Sequence, residues 1–267
     1  MKTAYVHGYD PRESLRLQDQ ASTLVGLLHS DTSFPAGSQV LEAGCGVGAQ
    51  TIPLAQNSPE ALITSIDISE TSLAEARRRV AAVGITNVRF QQADIFNLPF
   101  SAESFDHVFV CFVLEHLSKP VEALVCLKKL IRPGGTLTVI EGDHGSVCFH
   151  PASAEAQYAI DCQILLQAQA GGNACIGREL YPLLTKAGYR NCRVSPRLVY
   201  VDASRPDFVE GFTKNTFTAM IAGVREKTLQ AGLLDAQTFD LGLRALYRTT
   251  EADGVFCYTF FKAFAEI

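Results

Sequence analysis

The sequence predicts an α/β fold built around a mostly parallel sheet, and three observations predict it. A short apolar run over residues 40–43 ends in a glycine turn. The glycines of that turn stand at alternate positions: Gly44, Gly46 and Gly48. Two further apolar runs, over 61–67 and 87–94, each end in an aspartate. Segments with helical spacing separate these runs, so strands and helices alternate as they do in βαβ units.

The glycine turn is the first candidate site. Glycine adopts positive φ readily and, having no Cβ, lets a ligand lie directly on the backbone. Residues 49–55 have the pattern of a helix whose free N–H groups point back at the turn. The string Gly44-x-Gly46-x-x-Ala49 also fits the dinucleotide fingerprint, although Glu42 before it is a distinctive addition. The corner therefore predicts a nucleotide site and leaves its ligand class open.

Composition limits the function classes. The chain has 267 residues, is 47% hydrophobic and carries a net charge of −5, which favours one α/β domain and argues against long nucleic acid as a partner. No apolar run has the length of a signal peptide or a membrane span, so we expect a cytoplasmic protein without membrane insertion. The eight cysteines contain no C-x-x-C pair, and we expect no metal site. The oligomeric state is left open.

The second and third strands end in acids that suit a nucleotide. Asp67 follows the glycines by about the twenty residues at which nucleotide-binding folds place a ribose-binding acid. Two vicinal hydroxyls can each donate to one carboxylate, which explains an acid at this point. The alternative is that Asp67 caps the helix predicted over 69–83. Asp94 ends the third strand. The dinucleotide-binding motif includes an acid after the second strand but assigns no role to Asp94 or to Glu42.

The rest of the chain continues the alternation. A fourth strand is predicted over 105–113, and the turn Pro133-Gly134-Gly135 leads to a fifth over 136–140. Two later strands are predicted. They lie near 193–201 and over 255–264. Helices are predicted over 10–29, 153–170, 178–187 and 206–246.

Taken together, these motifs resemble class I S-adenosylmethionine-dependent methyltransferases, and most closely their quinone-biosynthesis-like subgroup. The resemblance rests on Glu42-x-Gly44-x-Gly46-x-Gly48, on the pattern D-x-x-x-L-P-F-x-x-x-x-F-D that starts at Asp94, and on Arg132-Pro133-Gly134-Gly135, and it covers about residues 36–141. It implies a Rossmann-like fold, with a seven-stranded, mostly parallel sheet, an antiparallel last strand and helical cap insertions. The implied division is a lid segment over 1–35 and a methyltransferase domain over 36–267, with cap insertions near 144–188 and 203–250.

The resemblance also implies S-adenosyl-L-methionine as the cofactor. Asp94 would accept a hydrogen bond from the exocyclic amine of the adenine. Candidates for contact with the methionine end of the cofactor are Tyr9, Arg16 and Gln20. The residues that it implies for cofactor binding are Tyr9, Gln20, Glu42, Ala43, Gly44, Cys45, Gly46, Asp67, Ile68, Asp94, Ile95 and Phe112.

The reaction implied is methyl transfer to an O, N or C nucleophile of a small molecule. The enzyme mainly orients the nucleophile, and it needs a base only when the nucleophile carries a proton. His144, after the fifth strand and beside Glu141 and Asp143, is the first candidate base, and His116 is the second. The aromatic residues of the insertions favour an apolar or aromatic acceptor: Tyr158, Tyr181, Phe208, Phe212 and Phe217. Two alternatives stay open, an NAD(P)-dependent oxidoreductase and a cofactor-binding protein without transferase activity.

Overall fold

A seven-stranded sheet forms the centre of the computed structural model, which describes residues 23–267. The strands are β1 Gln39–Ala43, β2 Leu62–Asp67, β3 Val88–Gln92, β4 Phe105–Cys111, β5 Ile131–His150, β6 Arg190–Val201 and β7 Val255–Glu266. They lie in the order β3-β2-β1-β4-β5-β7-β6. The pairs from β3 to β5 are parallel, and β7 is antiparallel to both of its neighbours. The predicted fold class is confirmed.

Helices cover both faces of the sheet. They are α1 at residues 23–29, α2 Thr51–Asn57, α3 Glu70–Ala82, α4 Pro120–Lys128, α5 Ala154–Gln169, α6 Leu180–Lys186, α7 Pro206–Phe208, α8 Ala219–Gly223, α9 Arg225–Gln230 and α10 Ala236–Arg248. Two 3₁₀ turns and one π-helical segment complete them: Leu114–His116, Ile176–Glu179 and Val209–Thr218. Successive residues of β1 serve opposite faces, because Val40 packs into one core and Leu41 into the other. The sheet is therefore buried on both sides.

This strand order places a binding crevice at one defined point. The chain runs from β1 outward to β3 and then returns to place β4 on the other side of β1. In open parallel sheets, ligands bind at the carboxyl ends of the strands where the order reverses. The glycine turn follows β1 directly, so it lies at this switch point.

Two predicted elements differ from the structure. The strand predicted over 136–140 is the middle of β5, which continues to His150 because β7 pairs with it beyond residue 140. The single helical stretch predicted over 206–246 is divided into several helices and a π-helical segment. A turn at Val224 separates α8 from α9, and a turn at Gly232 separates α9 from α10. Gly232 has a positive φ of 63°, and this conformation ends α9.

The predicted lid segment is only partly described, whereas both predicted cap insertions lie within the described residues. Tyr9, Arg16 and Gln20 lie outside the described residues. Within residues 23–29, Leu24 and Leu28 are buried in the core. The division at residue 35 stays a prediction. From residue 23 onward, the chain contains no helix that combines the length and the apolar character needed to cross a membrane.

Candidate active site

The glycine turn is shaped by packing on two sides and is open at its centre. Gly44, Gly46 and Gly48 all have positive φ, at 79°, 50° and 79°. A Cβ added to Gly44 would lie 2.4 Å from a methyl of Val113, and one on Gly48 would lie 3.0 Å from Cβ of Ala76. A Cβ on Gly46 would meet no atom of residues 23–267 within 4 Å. Gly44 and Gly48 are thus required by protein neighbours, whereas Gly46 leaves space beside the backbone for a ligand.

Asp67 closes this turn from the end of β2. One carboxylate oxygen accepts the N–H of Gly46 at 2.9 Å, and the other accepts the N–H of Ser69 at 2.8 Å. Burial raises the pKa of Asp67, and these N–H donors oppose the rise. The side chain that caps α3 is Ser69, whose hydroxyl accepts from the N–H of Ser72. Asp67 therefore joins two loops at the switch point. The alternative role considered for Asp67, capping of α3, is filled by Ser69.

Glu42 is fully enclosed behind the turn. One of its oxygens accepts from the hydroxyls of Thr51 and Ser65, at 2.7 and 2.6 Å. Burial raises the pKa of Glu42 to about 7, although both hydroxyls favour the charged form, and the charge of Asp67 adds to the rise. Glu42 thus connects β1, β2 and α2, and it places a titratable acid directly behind the glycines.

The remaining predicted cofactor residues lie along the same edge of the sheet. Asp94 is exposed beyond β3 and accepts the N–H of Phe96 at 2.9 Å. The N–H of Ala93 donates to the carbonyl of Asp67 and ties that loop to the turn. Ile68, which follows Asp67, presents an exposed apolar side chain at 58% accessibility. The structure thus places Asp67, Ile68 and Asp94 on one side of the turn.

Phe112 borders the turn on the other side. It follows β4 with a φ of 57°, a left-handed conformation that is uncommon for a bulky side chain. Its ring lies 5.4 Å from that of Phe260, and its N–H donates to the carbonyl of Ile140. Such strain persists only where the surroundings fix it, and it clusters at functional sites.

Glu141 fixes the segment after Phe112 and was named from the sequence only as a neighbour of His144. It is completely buried, and one oxygen accepts the N–H groups of Val113 and Leu114, at 3.0 and 2.7 Å. Its other oxygen has no hydrogen-bond partner among the described residues. Burial and the nearby Glu115 raise the pKa of Glu141 well above its usual value. The only sequence signal was an acid at the end of an apolar run.

His144 lies within β5 and not after it. The pairing of β5 with β7 is interrupted between Asp143 and Cys148, and His144 occupies this irregular stretch. The imidazole Nδ1 is 2.9 Å from the Tyr258 hydroxyl, and Nε2 is 3.2 Å from the sulfur of Met220. Asp143, which precedes His144, accepts two hydrogen bonds from Arg178 at 2.7 and 2.8 Å. Tyr258 is the partner that the sequence did not reveal.

An aromatic cluster surrounds His144. We define it as Phe212, Phe217, Phe256, Tyr258 and Phe260, whose rings contact one another. Phe260 links the cluster to Phe112 and hence to the glycine turn. Tyr158 and Tyr181, which were predicted to line an acceptor pocket, are instead exposed at 50% and 57%. His116 lies in the 3₁₀ turn after Phe112, and its Nε2 is 3.6 Å from Glu115.

The comparison with protein families agrees with this geometry. Residues 35–188, more than half of the chain, match the family described as a methyltransferase domain. The chain belongs to this methyltransferase family. The predicted family is therefore confirmed. S-adenosylmethionine, the cofactor of this family, is confirmed with it. Membership of this family argues against the alternative function, that of an NAD(P)-dependent oxidoreductase.

Individual relatives place the chain more closely. It is 30% identical over 213 residues to an uncharacterized 37.1 kDa protein in transposon TN4556 of Streptomyces fradiae, covering 79% of this chain and 61% of the relative. It is 28% identical over 241 residues to 27-O-demethylrifamycin SV methyltransferase of Amycolatopsis mediterranei, covering 89% of this chain and 81% of that enzyme. The chain spans about half the length of several curated relatives.

A solved structure shares the fold. Phosphoethanolamine N-methyltransferase 2 of Haemonchus contortus was solved with phosphomonomethylethanolamine and S-adenosylhomocysteine. It aligns with a TM-score of 0.56 at 16% identity, over 93% of this chain and 52% of that chain. This likeness shows the Rossmann-like fold, and the site residues are argued from this chain alone.

Proposed function

We propose that this protein transfers a methyl group from S-adenosylmethionine to a small, apolar or aromatic molecule. The observation that carries the proposal is the position of Asp67. Its carboxylate meets the N–H groups of Gly46 and Ser69 at the point where the strand order reverses. An acid held between a glycine turn and the start of a helix can bind the ribose of a nucleoside. Because the chain belongs to a methyltransferase family, we infer that this nucleoside is S-adenosylmethionine.

The residues present fit this cofactor. The oxygens of Asp67 accept backbone N–H groups, and a carboxylate has acceptor capacity beyond these for the ribose hydroxyls. The open space at Gly46 lets the ligand approach the backbone, and the exposed Ile68 offers an apolar surface to the base. Asp94 lies beyond it as an acceptor for the adenine amine. The cofactor supplies an activated methyl group bonded to a sulfonium.

Glu42 and Glu141 support this site from behind. The enclosed carboxyl of Glu42 joins the strand before the glycines to the helix after them. Glu141 holds the N–H groups of Val113 and Leu114, and so fixes the chain that follows Phe112. Rigid support of this kind keeps reacting groups within the narrow geometry that catalysis requires.

The acceptor side is the aromatic cluster with His144. An apolar enclosure excludes water and favours a small apolar or aromatic acceptor. For an acceptor with an O–H or N–H, His144 takes the proton, and the Tyr258 hydroxyl positions its ring through Nδ1. His116 is the second candidate base. We further propose that the protein acts in the cytoplasm. Its substrates are small molecules and not nucleic acid, and the net charge of −5 supports this exclusion of nucleic acid.

Methyl transfer from labelled S-adenosylmethionine tests the proposal. A panel of hydroxylated aromatic and alicyclic compounds serves as acceptors, and S-adenosylhomocysteine release is measured in parallel. We expect turnover with at least one acceptor class, and turnover that depends on Asp67. Cofactor binding without transfer to any acceptor would favour a cofactor-binding protein without transferase activity, and absence of binding would reject the proposal.

A further inference from the structure

Two cysteines that are far apart in sequence lie directly opposite each other in the sheet. Cys148 of β5 and Cys257 of β7 are register partners in the antiparallel ladder. Directly opposed residues in such a ladder have Cα atoms about 4.5–5.5 Å apart. Disulfides accept Cα separations of about 4.4–6.8 Å. The backbone is therefore already arranged for a bond between the two sulfurs.

The side chains also meet. Burial, together with the hydrogen bond between the Cys148 and Cys257 thiols, raises the pKa of Cys257 to about 11. Cys148 is exposed, whereas Cys257 is half-buried. A surface cleft of about 440 Å³ is lined by Cys148 and its neighbours Val147 and Phe149. None of the other six cysteines has a cysteine partner in the strand registers of the described chain.

We propose that Cys148 and Cys257 form a redox-active dithiol that a peroxide closes to an intramolecular disulfide. The exposed Cys148 thiolate attacks one peroxide oxygen, the O–O bond breaks, and Cys148 becomes a sulfenic acid with release of water. The Cys257 thiol then displaces the second water from that sulfur and forms the S–S bond. Two thiols are oxidised, one peroxide is reduced, and two waters are released.

The position of this dithiol connects it to the candidate acceptor side. Cys257 immediately precedes Tyr258, which holds His144. Beyond the irregular stretch that contains His144, the ladder of β5 and β7 has three register pairs, and the cysteine pair is the first of them. A covalent bond at this pair closes the irregular stretch at its far end. We expect oxidation to slow hydrogen exchange of the amides in residues 144–147.

Peptide mapping under non-reducing conditions tests the proposal with the whole folded protein. Stoichiometric hydrogen peroxide is added, and thiols are counted after denaturation. The wild type is expected to lose two thiols and to yield a peptide linking Cys148 to Cys257. Cys257→Ser is expected to accumulate sulfenic acid at Cys148, while Cys148→Ser forms no disulfide. Cys126→Ser, which removes a half-buried helical thiol, is the matched control and should react as the wild type does.

Several outcomes would overturn the proposal. Oxidation of Cys148 alone in the wild type would show that Cys257 does not resolve the sulfenic acid. A different cysteine pair in the mapped peptide would contradict the register argument. Unchanged exchange of residues 144–147 in the disulfide form would remove the connection with the acceptor side. These readouts use no cofactor or acceptor, so they are independent of the proposed methyl transfer.

Discussion

Glu42→Gln gives the sharpest prediction about the glycine turn. The carboxyl is buried and takes hydroxyl donors from Thr51 and Ser65 on one oxygen. Glutamine has the same shape and keeps a carbonyl oxygen for those donors, but it does not titrate. The substitution therefore removes the buried charge with little change in packing.

The magnitude follows from the pKa of Glu42, which rises from 4.5 to about 7 in the folded state. A folded pKa above the unfolded value means that the folded protein holds the proton more tightly. The associated stability is complete below pH 4.5 and is lost as pH rises to about 7. At about 1.4 kcal/mol per pKa unit, this loss amounts to about 3 kcal/mol. We expect Glu42→Gln to lack that part of the pH dependence.

Urea unfolding monitored by circular dichroism at a series of pH values from 5 to 8 measures the effect. Between the ends of this range, the variant should lose about 2 to 3 kcal/mol less unfolding free energy than the wild type. Glu141 titrates in both proteins, so the difference isolates Glu42. The exposed Glu60→Gln is the control and should follow the wild type. Parallel pH profiles for wild type and Glu42→Gln would refute the assignment of a buried titrating carboxyl.

Two further predictions concern the acceptor side and the turn. His144→Ala should lower kcat for a protic acceptor by about 10²–10⁴ while cofactor affinity stays unchanged, and Tyr258→Phe should produce a smaller loss; equal rates for His144→Ala and wild type would remove the base role. Gly46→Ala should cost about 1–2 kcal/mol of stability for its positive φ, and should weaken cofactor binding because its Cβ enters the open space. Gly48→Ala should cost about 1–3 kcal/mol more, because its Cβ meets Ala76. Urea unfolding and calorimetric titration compare the two variants, and normal cofactor affinity in Gly46→Ala would contradict the ligand side assigned to Gly46.

The glycine turn and Asp67 could be predicted because their signals are local. Alternate glycines after an apolar run define a turn, and an acid at the end of the next strand lies at the same edge of a parallel sheet. The sequence spacing alone carries this information. The predicted helix start was also local, since Ser69 caps α3 through its own hydroxyl.

The acceptor side could not be predicted in the same way. Residues 141–146 have the composition of a loop, and they belong to a strand only because β7, from a distant part of the chain, pairs with residues 141–143 and again with residues 148–150. Tyr258 carried no sequence signal for the same reason, because its role depends on contact with His144. Cys148 and Cys257 have no spacing motif in the sequence, since their proximity arises from the register of two strands that are distant in sequence.

Calorimetric titration of the folded protein with S-adenosylmethionine tests the central claim most directly. We expect the wild type and the exposed-site control Glu60→Ala to bind one cofactor per chain. For Asp67→Ala we expect an affinity at least tenfold weaker, a loss of about 1.4 kcal/mol or more in binding free energy. If folded wild-type protein binds neither S-adenosylmethionine nor S-adenosylhomocysteine, the glycine turn is not a site for this cofactor, and unchanged affinity in Asp67→Ala would rule out the ribose role of that carboxylate.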